Sequence, residues 1–458
     1  MTTTFHIEQF GCRATQADGA AIERQLLDQG CRLAADPSSA DVVVLNTCTV
    51  TASADTQARD AIRKIHAANP ATRIIVTGCY AQRAPEEIAA LPGVTFVVGN
   101  SHKPQIPALL QTISHAPLRD AFPIMHSSNP AEKILIGDIF QLKDVLVAPV
   151  LGGEGHHTRP TVKIQDGCNA RCSFCVIPSV RGKSRSLSPE TVLAEVQRLS
   201  DSGYREIVFS GINLGTYGRD LSPRVEFLGL LRRVLNETSL EHLRISSIEP
   251  LDVTRDLIEL FAATDRIAPH FHMPLQSASN RILAAMHRWY RAEHYARRIE
   301  LIRETLPHAA IGADVITGFP GETEADHAAT MNFIREHPFT YLHVFSYSSR
   351  PGTKAAVLPG HLSGRVVKQR ARELRALGEQ KAEAFRASQL GRTLRVLTLR
   401  RDANSLLDET PALSANYLSV RLPGALPPNQ FLYVIPDRSD GKHLSANTLE
   451  SSLAQAAS

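Results

Sequence analysis

Over the first hundred residues, short apolar runs alternate with longer amphipathic stretches. Phe5 to Phe10 alternates apolar and polar positions as a strand does; Val42-Val-Val-Leu45 and Ile74-Ile-Val76 are buried-strand runs, and Val94 to Val98 is a fourth. Between them Ala20 to Gln29 and Ser53 to Ala68 carry the helical period, the latter stopped by Asn69-Pro70. This alternation predicts an open parallel sheet of the flavodoxin or Rossmann kind over residues 1–115. A connector is expected over 116–158, where Ser127-Ser-Asn-Pro130 and Gly152-Gly-Glu-Gly155 interrupt the pattern.

From Thr161 the pattern resumes. Strands are expected at Thr161–Gln165, Glu206–Ser210, Leu243–Ser247, His270–Pro274, Ile311–Ile316 and Tyr341–Ser346, with helical stretches between them. Ser188-Pro189-Glu190 opens one helix with a capping hydroxyl and proline at the first helical position. Six strand–helix units predict a partial (β/α)6 barrel over 159–388, with its chemistry on the loops that follow the strands. After Gly391 short β-like runs, Leu394–Leu399, Tyr417–Arg421 and Phe431–Ile435, predict a small β-barrel over 389–458. The fold class is α/β with a C-terminal β appendage.

Composition narrows the class without naming a partner. Of 458 residues 43% are hydrophobic and 21% charged, which excludes a disordered chain and a fibrous repeat. No segment approaches the roughly 20 apolar residues of a spanning helix. The start, Met1-Thr-Thr-Thr-Phe5, lacks a basic segment followed by an apolar one, so a cytoplasmic protein is expected. Fifty Lys and Arg against 46 Asp and Glu leave a formal charge of +4, too mild to indicate a partner.

The seven cysteines say more. All lie at or before residue 175, and an odd number without a secretion signal argues against a disulfide framework. Cys168, Cys172 and Cys175 form C-x3-C-x2-C directly after the first strand of the second region. Three thiolates from one loop can hold three corners of a cubane iron–sulfur cluster and leave the fourth iron open. Zinc is the alternative, but closed zinc sites want four ligands, and only the adjacent His156 and His157 lie nearby. Cys12, Cys48 and Cys79 each end one of the N-terminal strand runs. Ligands of open parallel sheets bind beyond those strand ends, so these three define a second candidate cluster site, against the alternative of three unrelated core cysteines. Cys31, after Gly30 at a helix end, reads as a structural thiol.

The loops after later strands are polar and glycine-rich. Ser210-Gly211-Ile-Asn213 through Gly218, Ser247-Ile-Glu249, Gln276-Ser277 and Thr317 through Thr323 permit close backbone approach, and Asn213, Glu249 and Gln276 offer hydrogen bonds. Turn chemistry alone could account for any one of them. Asp314 lies inside an apolar run, where a carboxylate demands partners. Arg365 to Arg386 is a basic amphipathic helix, with seven Lys and Arg against Glu373, Glu379 and Glu383. It reads either as a solvated face or as a phosphate-facing surface.

The ordered set of motifs resembles the radical S-adenosylmethionine (SAM) methylthiotransferase family over nearly the full length. Beyond the cysteines, the resemblance is carried by Asn46-Thr-Cys48, Gly78-Cys79, Pro274-Leu-Gln-Ser277, Met286-His-Arg-Trp-Tyr290, Asp314-Val-Ile-Thr-Gly-Phe-Pro-Gly-Glu-Thr323 and Tyr347-Ser-Ser-Arg-Pro-Gly-Thr353. It implies an N-terminal methylthiotransferase domain, a radical SAM core and a terminal TRAM domain. It further implies two 4Fe-4S clusters, one on Cys168, Cys172 and Cys175 that chelates SAM and an auxiliary one on Cys12, Cys48 and Cys79. SAM contacts are expected from Ser210, Gly211, Asn213, Glu249, Gln276 and Asp314. The implied partners are tRNA, met at its anticodon loop, and an unidentified electron donor, with no membrane.

Phe10-Gly-Cys-Arg-Ala-Thr-Gln-Ala-Asp18 is most similar to the family branch acting on threonylcarbamoyladenosine (t6A), except that Thr15 and Gly19 replace a usual Asn and Ser. Other branches act on isopentenyladenosine or on an aspartate of a ribosomal protein. Lys368, Arg372, Arg375 and Tyr417 are the expected RNA contacts; Phe431 is a further stacking candidate, with core packing as its alternative role. A non-catalytic iron–sulfur RNA-binding regulator would share the clusters and the basic helix but would not need the SAM-facing loops.

Overall fold

The computed structural model describes residues 3–115, 130–142, 145, 158–401 and 408–448. The connector expected over 116–158, with His156 and His157, falls mostly outside them. The chain divides into two compact units: residues 1–150 with 161–187 and 348–356, and residues 151–160 with 188–347 and 357–458.

The first unit is built on a six-stranded parallel sheet of β1 (Thr4–Gln9), β2 (Arg32–Leu33), β3 (Val42–Thr47), β4 (Arg73–Gly78), β5 (Val94–Val98) and β6 (Ile134–Leu135), in the order β2-β1-β3-β4-β5-β6. The central strands are apolar on both faces because both faces are covered. Val43, Leu45 and Val76 pack with Ala58, Ile62 and Ile65 of the helix Ala52–Ala68. Val42, Val44 and Ile75 pack with Ile22 and Leu26 of the helix Arg13–Asp28 and with Leu110. The Thr51 hydroxyl caps the helix Ala52–Ala68, which stops at Asn69 as its Asn-Pro signal predicts. The unit also contains β7 (Thr161–Asp166), which pairs antiparallel with the short β8 (Arg185–Ser186).

In the second unit β9 (Glu206–Gly211) and β10 (His242–Ile245) pair in parallel, as do β11 (His270–His272), β12 (Ala310–Thr317) and β13 (Tyr341–Ser346) in that order. Ser188 accepts from the Thr191 amide at 3.2 Å, the cap expected from Ser-Pro-Glu. A closed barrel of β14 (Leu394–Thr398), β15 (Glu409–Ser414), β16 (Ser419–Pro423), β17 (Phe431–Ser439) and β18 (Leu444–Thr448) follows the long helix Gly364–Ala387. Its core is Val396, Val420, Leu422, Val434 and Leu444, capped by Phe385 of that helix. Tyr417, expected to begin a strand, instead takes a φ of +71° in the turn before β16. The turn is closed by the Leu418 amide on the Ser414 hydroxyl at 2.8 Å.

Buried Glu206 secures this barrel. Arg244 grips its carboxylate with Nε at 2.9 Å and Nη2 at 3.2 Å, and reaches the carbonyls of Ser414 and Ala415. Burial would raise the Glu206 pKa, but Arg244 and His242 hold it well below the usual carboxylate range.

Candidate functional site: two cysteine triads and a polar strand-end surface

Cys12, Cys48 and Cys79 follow β1, β3 and β4, three neighbours in the sheet whose ends lie in step, Gln9 opposite Asn46 and Thr47 opposite Gly78. Two glycines make the approach possible. Gly11, at φ +115°, passes so close that a Cβ there would lie 2.4 Å from the Cys48 Cβ; at Gly78, φ +99°, one would lie 2.3 Å from the Thr47 carbonyl. Cys48 and Cys79 are buried and Cys12 is exposed. Burial, then the neighbouring Cys12 and Cys79, push the Cys48 thiol up to about 12, so Cys48 lies close to both of the other cysteines. A bound metal would favour the thiolate of Cys48 against that burial. The Val50 amide faces the Cys48 sulfur at 3.5 Å and the Asn100 amide the Cys79 sulfur at 3.7 Å. Three converging thiols with amide donors fit the corners of a cluster.

The departures from the branch pattern have structural places. Thr15 is fully buried, its hydroxyl 3.6 Å from the Cys12 sulfur and its carbonyl accepting from Asn46 at 2.6 Å. At Gly19 a Cβ would meet the Gln9 side chain at 2.6 Å, so a serine there would displace it. Cys31 packs against the opposite core, away from the triad.

Cys168, Cys172 and Cys175 occupy the loop after β7, in the same unit. Gly167, at φ +71°, turns the chain beneath the Lys183 carbonyl, which a Cβ would meet at 2.0 Å. The Cys168 amide donates to the Gly182 carbonyl, the Cys175 amide to the Cys172 carbonyl, both at 3.1 Å, and the Ala170 amide to the Cys168 sulfur at 3.3 Å. The loop is therefore wound by its own backbone, and its three half-buried thiols suit a cluster with an open corner. Val176 and Val180, just beyond it, pack on Cys79.

A buried ion network joins the two triads, and pattern reading missed it. Asp18, on the helix that starts beside Cys12, accepts from Lys103 at 2.7 Å, from Arg181 at 3.0 Å and from Lys163. Asp166, two residues before Cys168, accepts from Lys163 and Arg181, each at 2.9 Å. Burial would raise the Asp18 carboxyl, but Lys103, Lys163 and Arg181 outweigh it and hold it well below its usual range. The loop after Cys48 has its own clamp: Asp55 accepts from Thr49 at 2.6 Å, Arg83 at 2.9 Å and Arg350 at 2.7 Å. The one available signal was Lys163, a charge between Val162 and Ile164 in an expected strand.

In the second unit Ser210, Gly211, Asn213, Glu249 and Gln276 lie on or next to loops at the carboxyl side of the strands, whereas Asp314 lies inside β12. Ser210 and Gly211 end β9, and Asn213 opens the next turn. That turn is pinned by Gly215, where a Cβ would lie 2.1 Å from Asp252, and by Arg219 on Asp252 at 2.7 Å. Glu249 is held by Arg288; burial raises its pKa, opposed by Arg288 and aided by Asp252 and Asp314. Gln276, at φ +63°, bridges to β12 through its amide on the Asp314 carbonyl at 2.8 Å. The Asp314 carboxylate accepts from His272 at 3.0 Å and His343 at 3.3 Å, which hold it far below its usual range against the cost of burial. Tyr341 continues the chain, its hydroxyl 2.9 Å from His272 and 2.7 Å from His270. Donor atoms of His272, Asp314 and His343 lie within 4.8 Å of one another, yet these contacts satisfy the group without an ion.

The expected RNA contacts lie elsewhere. Lys368, Arg372 and Arg375 are exposed on the helix Gly364–Ala387, spaced to share one face, while Arg370 is buried on Glu322 and Lys381 caps two carbonyls. Tyr417 is half-buried, stacked on His270 with ring centroids 4.2 Å apart and under the Arg244 guanidinium. Phe431 lies beneath Arg395, 3.9 Å from its ring centroid.

Comparison with known proteins assigns the class. Residues 4–99 match an uncharacterized protein family, UPF0004, and residues 162–334 match the Radical SAM superfamily, so the second triad opens a radical SAM region. The chain is 37% identical to the threonylcarbamoyladenosine tRNA methylthiotransferase MtaB of Aquifex aeolicus over 91% of its own length and 96% of that protein's. It is 38% identical to the MtaB of Bacillus subtilis, over 86% of this chain and 84% of that one. A tRNA-2-methylthio-N(6)-dimethylallyladenosine synthase of Arthrobacter is 36% identical over 92% of this chain and 79% of its own. The chain belongs to the radical SAM methylthiotransferase family and is an enzyme of that type, most like MtaB. Among solved structures, the radical SAM methyltransferase TsrM of Kitasatospora setae shares the fold, with a TM-score of 0.58 at 15% identity, covering 78% of this chain and 75% of that one. Membership brings SAM and a 4Fe-4S cluster. Among the described residues no helix is long and apolar enough to cross a membrane.

Proposed function

We propose that this chain converts t6A at position 37 of tRNA to its 2-methylthio derivative. The observation that carries the reading is the convergence of Cys12, Cys48 and Cys79 at three adjacent strand ends, in the same compact unit as Cys168, Cys172 and Cys175. A SAM-binding cluster on the second set would supply the radical that removes hydrogen from the adenine carbon, and an auxiliary cluster on the first would carry the sulfur that takes its place, a second SAM giving the methyl group. The protein's share is positioning: the ion network holds the two triads in register, and Ser210, Gly211, Asn213, Glu249, Gln276 and Asp314 form the polar surface for SAM. Lys368, Arg372 and Arg375 give phosphates a cationic face. The two MtaB relatives support t6A; the Arthrobacter relative favours dimethylallyladenosine as the second reading.

Mass spectrometry of tRNA nucleosides from cells with and without the gene tests this. Loss of 2-methylthio-t6A with accumulation of t6A is expected; loss of the dimethylallyl form instead would assign the second reading, and unchanged nucleosides would refute both. For the clusters, reconstituted protein should hold about eight irons per chain and Cys79→Ser about four. Full iron in that variant would refute the auxiliary site.

A further inference from the structure

The segment joining the helix Asn280–Ala285 to the helix Ala292–Thr305 sorts its side chains by alternation. Met286, Arg288 and Tyr290 point inward, whereas His287, Trp289 and Arg291 are exposed. The inward members fix the segment to the carboxyl side of the strands. Arg288 grips Glu249, in the loop after β10, and its guanidinium lies 5.0 Å from the Tyr290 ring centroid. The Tyr290 hydroxyl reaches the carbonyls of Pro274 at 2.6 Å and Leu275 at 2.9 Å, just past β11. His287, at φ +55°, makes the turn into the segment.

That anchoring has a consequence for Trp289, the one tryptophan of the chain. It is 77% exposed, the second most exposed large apolar side chain among the described residues. With its neighbours on both sides tied inward, the indole is held out on the side of the strands where ligands bind in parallel α/β structures. An indole offers a broad π-face with little rotamer freedom to lose. Flanking it are a histidine and an arginine, not further apolar residues. Aromatic face plus cation is the chemistry that takes an unpaired base and its phosphate; an apolar protein partner would ask for an apolar surround.

We propose that Trp289 is a stacking platform for an unpaired base of the substrate RNA, with His287 and Arg291 facing the adjoining backbone. The proposal rests on the RNA reading above and adds the place where a base is read.

The test uses the reconstituted enzyme and a synthetic t6A-bearing anticodon stem–loop, labelled for anisotropy, with the sole tryptophan as a second reporter. Trp289→Ala should raise Kd between about fivefold and a hundredfold, the effect of one stacked base, and Trp289→Phe should recover most of it. The slope of log K on log salt should not change, because no phosphate contact is removed; Arg291→Gln should reduce it. In the wild type the stem–loop should quench the emission saturably and a blunt duplex should not. Equal Kd for wild type and Trp289→Ala, at unchanged iron content and circular dichroism, overturns the platform. If the alanine variant fails to fold, the wild-type titration decides: binding by anisotropy without quenching overturns it. A wild type that does not bind the stem–loop at all fails the RNA reading itself, a result distinct from either.

Discussion

Asp18→Asn isolates what the buried ion network contributes. Asp18 is 2% exposed and faces three cationic groups, Lys103, Lys163 and Arg181. With Arg185, which lies 3.8 Å from Asp166, the cluster holds four cations against two carboxylates, an excess of two charges; asparagine at 18 makes it three. Removing one partner of a buried pair costs about 3–5 kcal/mol, because the remaining charges stay desolvated. At a urea dependence of about 2–3 kcal/mol per molar, the unfolding midpoint should fall by about 1–2 M, read by circular dichroism under anaerobic conditions. Because the native Asp18 carboxyl is held below its usual value, its contribution is fully present above about pH 5 and is lost as pH falls through the ordinary carboxylate range and below. The gap between wild type and variant should therefore be constant near neutrality and close in acid. Lys103→Met in the Asp18→Asn background should cost less than the two single changes added, by about 1–3 kcal/mol. A midpoint shift under about 0.3 M at pH 7, equal to less than 1 kcal/mol, would refute the reasoning.

Two further changes probe the second unit. Gly312→Ala places a Cβ 2.0 Å from the Tyr341 ring, and the crowding should cost about 1–3 kcal/mol in a denaturant titration; an unchanged midpoint would mean that the ring has room to move. Glu206→Gln leaves Arg244, which is fully buried, without its counter-charge, and a loss of about 3–5 kcal/mol is expected at pH 7; a loss below about 1 kcal/mol would show that the carbonyls of Ser414 and Ala415 suffice to hold the arginine.

What the linear pattern revealed was set by local periodicity. All six strands expected from Thr161 onward exist, as do the four in the N-terminal region, because apolar runs bounded by glycine and asparagine leave little choice of element. Cys12, Cys48 and Cys79 were legible for the same reason: each follows a strand, and neighbouring strand ends of a parallel sheet lie side by side. Pairings between distant buried charges were not. Asp18 and Lys163 are 145 residues apart, Asp55 and Arg350 are 295 apart, and an aspartate in a helix carries no mark of what covers it. His270-Phe-His272 reads as a half-wet strand, so the row of His343, Asp314, His272, Tyr341 and His270 was invisible apart from Asp314. β15 and β18 escaped notice because proline and small polar residues dilute their alternation.

The network also bears on where the chain can be cut. Residues 1–115 contain five of the six strands of the parallel sheet, all but the two-residue β6, and the whole first cysteine triad, and on sheet logic alone they should fold and bind iron. Yet Asp18 would keep only Lys103, since Lys163 and Arg181 lie beyond the cut, and Val176 and Val180 would leave Cys79 uncovered. A buried carboxylate stripped of two partners and a cluster pocket stripped of two apolar neighbours together cost several kcal/mol, comparable to the whole stability of a small domain. A fragment of residues 1–115 should therefore lack cooperative unfolding and hold substoichiometric iron after reconstitution, whereas the full chain carrying Cys168→Ser, Cys172→Ser and Cys175→Ser should retain about four irons on the first triad. A 1–115 fragment that unfolds cooperatively and binds iron fully would show that the sheet alone organises the first triad and that the ion network is an accessory to it.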